Sequence, residues 1–225
     1  EYVRTPFADT SLYLLPEDLN EDVAVFLSDI LPTSHEIGVQ YGDVKPGDNI
    51  AIVGAGPIGM SCLLTAQFYS PANIIMVDMD DNRLEFAKNI GATHTVNSSK
   101  EDAIQRILEI TDGRGVDCAI EAVGVEPTWN ICQHVVKEGG HIANVGVHGK
   151  AVNFELNKLW IKNLTITTGL VNANTTGMLL KTCCSGKLPL DKLATHHFKF
   201  ADFEKAYDVF KHAADEKAMK VMIDI

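Results

Sequence analysis

The 225-residue sequence has no run of about 18 uninterrupted apolar residues, the length a helix needs to cross a bilayer, so no membrane partner is expected. Basic residues are scarce: 19 Lys and Arg stand against 30 Asp and Glu, a formal net charge of −11. A broad nucleic-acid footprint needs clustered cations to neutralise phosphates, so no nucleic-acid partner is expected either. The five cysteines (Cys62, Cys118, Cys132, Cys183 and Cys184) form no CxxC pair, and their number is odd. They read as reduced, mostly buried thiols of a cytoplasmic protein. Cys183 and Cys184 are adjacent, whereas most zinc sites place residues between their ligands. Internal repeats and low-complexity linkers are absent. The opening "EYVRTPFADT" starts at Glu1 rather than Met and has no signal-peptide character. We read the chain as a fragment, or as one that has lost its initiator residue.

What is present is an alternation of short β-rich runs with longer helical patterns. Strands are expected at residues 49–54, 73–78, 94–97, 117–124, 140–146 and 163–170. Helices are expected between them at 60–69, 82–91, 101–111 and 127–136. Near-continuous apolar strands joined by helices imply a parallel sheet covered on both faces. The fold class is therefore α/β, a doubly wound six-stranded parallel sheet of the dinucleotide-binding type. Residues 1–30 precede the first strand and contain "EYVRTPFADTSLYLLP", an extended, turn-rich stretch. Residues from about 187 onward read as loop, short strand, helix and terminal strand. Both flanks look like edges of a second domain.

"AIVGAGPIGMSCLL" (51–64) carries the chemistry. Gly54, Gly56 and Gly59 form GxGxxG between a strand and a helix, with Pro57 and Ile58 at the turn. The first glycine permits the tight turn, the second lets backbone approach a pyrophosphate, and the third lets helix pack on strand. The helix N-terminus offers unpaired N–H groups and partial positive charge. Asp78 ends the second strand 19 residues after Gly59. A carboxylate there would bond both ribose hydroxyls of the adenosine half and repel a 2′-phosphate, favouring NAD over NADP. Arg83 is close enough in sequence to reach that ribose or, as the lesser alternative, a 2′-phosphate. The bland alternative is a glycine turn plus a surface Asp.

The segments "VKPGDNIAIVGAGPIGMSCLLTAQ", "GATHTVNSSK", "GRGVDCAIEAVG" and "VKEGGHIANVGVHG" resemble, in order and spacing, the zinc-containing medium-chain alcohol dehydrogenases. The resemblance covers essentially the whole chain but only the C-terminal two-thirds of a family member, and the microbial secondary alcohol dehydrogenases are the most similar branch. It implies a GroES-like catalytic domain represented only by remnants: residues 1–30, then a cofactor domain at 31–170, then its C-terminal part at 171–225. It implies Asp29 of "FLSD" as a zinc ligand and Thr33 near the nicotinamide. It places Val123 and Gly124 beside the adenosine side, Val145, Gly146 and Val147 along the nicotinamide ribose, and Gly169 and Leu170 over the nicotinamide. Where the family often has Gly, this chain has Ser34, followed by His35, which is open to a relay or ligand role or to a capping or surface one.

The further zinc ligands that the family carries have no counterpart here. The implied activity is NAD-dependent hydride transfer between a small-molecule alcohol or ketone and the nicotinamide, with zinc in the intact enzyme but not in this chain, which is expected to be inactive alone. A truncated NAD(H)-binding sensor or assembly module is the second reading, and a zinc-independent quinone reductase relative using NADPH the third. The β-rich sixth strand, as an uncovered sheet edge, implies a homodimer or tetramer.

Overall fold

The computed structural model describes residues 2–225. Its centre is a six-stranded, all-parallel sheet in the order β3-β2-β1-β4-β5-β6. The strands are β1 (Asn49–Val53), β2 (Asn73–Asp78), β3 (His94–Asn97), β4 (Val116–Glu121), β5 (Val136–Asn144) and β6 (Thr165–Thr168). The strand order reverses between β1 and β4, so the crevice at their carboxyl ends is where ligands bind in open sheets of this kind. The central strands are apolar along their length because helices cover both faces. On one face, Ile50, Ile52 and Met76 pack with Met60 and Leu63; on the other, Ala51, Val53 and Ile75 pack with Ile107 and Trp129.

Two of the covering helices begin where a short polar side chain satisfies the first N–H groups. Asp80 accepts from Asn82 N at the start of α5 (Asp81–Asn89). Asp102 accepts from Ile104 N and Gln105 N at the start of α6 (Ala103–Ile110). A side-chain cap is missing from the helix over Glu126–Val135, which follows Val125, and from α4 (Pro57–Ala66), which follows Gly56. Its residues Gly59–Ala66 are all buried, as expected of a helix that is apolar all round. Opposite it lie α7 (Glu126–Val135) and the short α8 (Leu156–Leu159).

The flanks are more ordered than the sequence suggested. Within the stretch expected to be extended lies a one-turn helix, α1 (Ala8–Ser11), and after it residues 20–27 form a capped helix, α2 (Glu21–Phe26). Val23, Phe26 and Leu27 lie three and four residues apart, share one face and join the α4 side of the core. Next come α3 (Ile30–Thr33) and a π-helix over Ser34–Gln40. The π-helix lies very close to its neighbours: a Cβ at Gly38 would sit 2.7 Å from Cys62 Sγ, and one at Gly42 2.5 Å from Cys118 Sγ. A further helix, α9 (Thr176–Cys184), contributes Leu179 and Cys183 to the same core. Its run of Thr, Gly and Cys is a weak helix former, so tertiary packing decides its state. Finally, β7 (Ala194–Lys199) and β8 (Lys220–Asp224) pair in parallel, connected by α10 (Phe203–Lys211).

Phe26 is fully buried in the cluster that contains α4. Phe26→Ala should therefore lower unfolding stability by about 3–5 kcal/mol, read by urea denaturation. A change near zero would mean that this helix is not part of the folding unit.

Candidate functional site

The turn from β1 into α4 is set by contact between two glycines. Gly54 adopts φ +112°, in the region L side chains avoid, and its N–H donates to Val77 O at 2.8 Å. A Cβ on Gly59 would lie 1.8 Å from Gly54 O, so no other residue fits there without moving the backbone. Gly56 is different: a Cβ there would meet nothing within 4 Å. The space in front of Gly56 is open, Pro57 pre-sets the first helical turn, and no side chain takes the N–H groups that follow. This is the arrangement that receives a phosphate.

Asp78, at the end of β2, closes one side. Its Oδ2 accepts from Ala55 N at 2.7 Å, tying it to the glycine turn, and its Oδ1 accepts from Met79 N and Asp80 N at 2.8 and 3.0 Å. Two carboxylate oxygens have about four acceptor positions, so the half-buried Asp78 retains capacity for a ligand hydroxyl. Gly54, Gly56, Asp78, Arg83 and Val123 share a cleft of about 850 Å³, whose other wall comes from the start of α7, including Thr128. These residues, far apart in sequence, are brought together.

The loops after β4 and β5 meet beside this cleft. A Cβ on Gly124 would lie 2.4 Å from Val147 O, and one on Gly146 would lie 2.3 Å from Gly124 N. Both glycines are thus required by the close approach of the two backbones. Val145 is half-buried and packs towards the π-helix, whereas Val147 is 90% exposed. A Cβ on Gly169 would lie 3.2 Å from the Tyr41 ring and 3.5 Å from Ile37, and the next residue, Leu170, is 88% exposed.

Three residues that pattern reading did not single out organise these loops. Glu121, fully buried at the end of β4, accepts from Val123 N at 3.0 Å, from Gly124 N at 2.9 Å and from Thr128 Oγ1 at 2.6 Å. His148 Nε2 lies 2.8 Å from Asn144 Oδ1 and 3.4 Å from Glu121 Oε2. Glu36, buried on the π-helix, bonds the loop after β6. The available signal was a carboxylate inside an apolar run, "CAIEAVG" for Glu121 and "EIGV" for Glu36, because a buried charge demands partners.

His35 and Asp29 lie in different surroundings. His35 is buried, not on the surface, and packs against Phe68 and Tyr69 with ring centroids 5.6 and 6.0 Å away. Those rings follow the C-terminal end of α4, while the neighbouring Ser34 Oγ donates to Ile58 O in the first turn of that helix at 3.0 Å. Burial pushes the His35 imidazole below the usual pKa, against the opposing pull of Glu36, and its Nδ1 has no hydrogen-bond partner among the described residues. Asp29 is exposed, and its Oδ1 accepts from Thr33 Oγ1 at 2.6 Å. Among the described residues no three His, Cys, Asp or Glu side chains gather where a metal ion could be held. Zinc requires about three protein ligands, so this donor set does not fit it.

The family model for zinc-binding dehydrogenase matches residues 57–181. An alcohol dehydrogenase from Cupriavidus necator is 31% identical over 219 residues, covering 96% of this chain. The chain spans about 60% of the length of that curated relative. A solved zinc-dependent alcohol dehydrogenase 2 from Streptococcus pneumonia, in its apo form, superposes with a TM-score of 0.94 at 56% identity, covering 99% of this chain and 64% of that one. A more distant structure, a short chain alcohol dehydrogenase from Escherichia coli CFT073 complexed with NADH, gives a TM-score of 0.84 at 25% identity, covering 93% of this chain and 61% of that one.

The two glycines make opposite demands on a substitution. Gly59→Ala should destabilise the fold by about 3 kcal/mol or more through its clash with backbone, whereas Gly56→Ala should leave the melting temperature essentially unchanged. Thermal denaturation checks both, and equal losses would contradict the assignment of Gly56 to the open cradle.

Proposed function

The chain belongs to the zinc-binding dehydrogenase family, and from that premise we propose that it is the dinucleotide-binding portion of an NAD-dependent alcohol dehydrogenase. The observation that carries the proposal is the open, uncapped start of α4 at Gly56, lying beside a carboxylate, Asp78, bonded to the same turn. The pyrophosphate would sit on the N–H groups at Ile58 and Gly59, where the helix dipole favours negative charge. The adenosine ribose hydroxyls would donate to Asp78, with Arg83 and Val123 bounding the same cleft. A 2′-phosphate would meet Asp78 as a like charge, which disfavours NADP. The NADH held by the Escherichia coli relative supports use of this class of cofactor.

The nicotinamide half would extend past Gly124 and Val145–Val147 towards Thr33, Gly169 and Leu170. A bound nicotinamide supplies hydride transfer with a small-molecule alcohol or ketone. The protein's part is to hold the ring and keep water from it. We infer that activation of the alcohol calls for donors in addition to Asp29, whose carboxylate bonds Thr33, because zinc takes about three protein ligands. We therefore assign to the chain binding of NAD(H) without turnover of alcohol on its own, which is also what an NAD(H)-binding sensor would do. The free edge of β6, with Ile166 exposed and Trp160 and Ile161 exposed just before it, supports pairing of two copies, as uncovered edges tend to pair.

The test is fluorescence titration with NADH and NADPH. The wild-type chain should bind NADH more tightly. Asp78→Ala should weaken NADH by about tenfold or more, through loss of charge-assisted hydrogen bonds, and should erase the preference. NADPH binding as tight as NADH in the wild type would overturn the role given to Asp78.

A further inference from the structure

We propose that Glu36 is a positioning residue for the nicotinamide half of the dinucleotide, acting through the loop that follows β6. This rests on the reading of the cleft given above. Glu36 Oε2 accepts from Asn172 N and Ala173 N, each at 3.1 Å. Its Oε1 accepts from Thr175 N and Thr175 Oγ1, each at 2.8 Å. Successive backbone N–H groups of this kind form a concave nest for an anion, and here the chain's own buried carboxylate fills it. Ala173 sits within the nest at φ +56°, a conformation costly for a residue with a Cβ. The loop holds that shape because the carboxylate stabilises it.

The same loop is fixed at its other end. Thr167 Oγ1 donates to Tyr41 O at 3.1 Å, and Gly169 lies against Tyr41 and Ile37. Leu170 therefore projects from a short stretch of backbone tied on both sides to the helical segment 34–41. Glu36 follows Thr33 by three residues in continuous helical backbone, so the two belong to one helical segment. One rigid segment thus sets the positions of Thr33 and of Leu170 together. Glu36 touches neither the cofactor nor substrate in this arrangement; it acts through backbone.

The test separates this role from a general structural one by comparing two ligands. NADH carries the nicotinamide ring, and ADP-ribose lacks it while keeping the pyrophosphate and both riboses. Binding of each to the 225-residue chain is measured by calorimetry. Glu36→Gln keeps shape but leaves two of the four donors facing an amide that cannot accept. It should weaken NADH by about tenfold and leave ADP-ribose within about twofold of wild type. Thr175→Val removes only the hydroxyl donor and should weaken NADH by about threefold with ADP-ribose unchanged. If Glu36→Gln does not fold, Thr175→Val decides on the same comparison. Equal losses for both ligands, or no loss for NADH, would overturn the positioning role. A wild-type chain that binds neither ligand would instead overturn the reading of the cleft on which it rests.

Discussion

The molecule depends on the approach of Gly59 to Gly54, which leaves no room for even one methyl group between the start of α4 and the end of β1. That contact sets the angle at which α4 leaves the sheet, and α4 is the helix on which one half of the core is built. It also determines that the helix begins with bare N–H groups aimed over the carboxyl ends of the strands. The packing constraint and the proposed binding site are thus the same feature. A helix start capped by Ser or Asp would be more stable alone, but its N–H groups would then be occupied.

Around that turn, carboxylates are used to hold backbone. Asp78 fastens the glycine turn to the end of β2, Glu121 folds the loop after β4 over itself, and Glu36 secures the loop after β6. A buried carboxylate is costly unless several donors face it, and each of these has at least three hydrogen bonds of 3.1 Å or less. The consequence is that loops from four strands hold fixed positions at one edge of the sheet before any ligand arrives. Preformed loops of this kind reduce the ordering cost of binding. By contrast, Asp29 and Thr33 satisfy each other at the surface.

The six-stranded parallel sheet could be anticipated because buried parallel strands write themselves as near-unbroken apolar runs; the order of the strands could not, since a run of residues does not name its neighbour. "NIIMVD" and "HTVN" coincide with β2 and β3. The glycine turn was legible for a related reason: each glycine answers a distinct geometric need. Residues 31–48 were not legible. A π-helix containing Gly38 and preceded by Pro32 has neither helical nor strand periodicity, and it is held by contact with Cys62 and Cys118, distant in sequence. The same holds for α9, where weak local propensity is overridden by burial of Leu179 and Cys183. His35 was ambiguous because its sequence neighbours do not show that its ring is buried against Phe68 and Tyr69. Glu121 and Glu36 were missed because their partners are backbone N–H groups, which every residue type but proline carries.

The central claim, that the β1–α4 turn is a dinucleotide cradle, is tested most directly by amide resonances of isotope-labelled protein titrated with NADH. The account predicts the largest shifts at the amides of Gly56, Ile58 and Gly59, accompanied by Val123 and Gly124 across the cleft. Shifts confined to the separate cleft between α5 and the C-terminal segment, lined by Glu85, Phe86 and Lys217, with the glycine-turn amides unmoved, would contradict it.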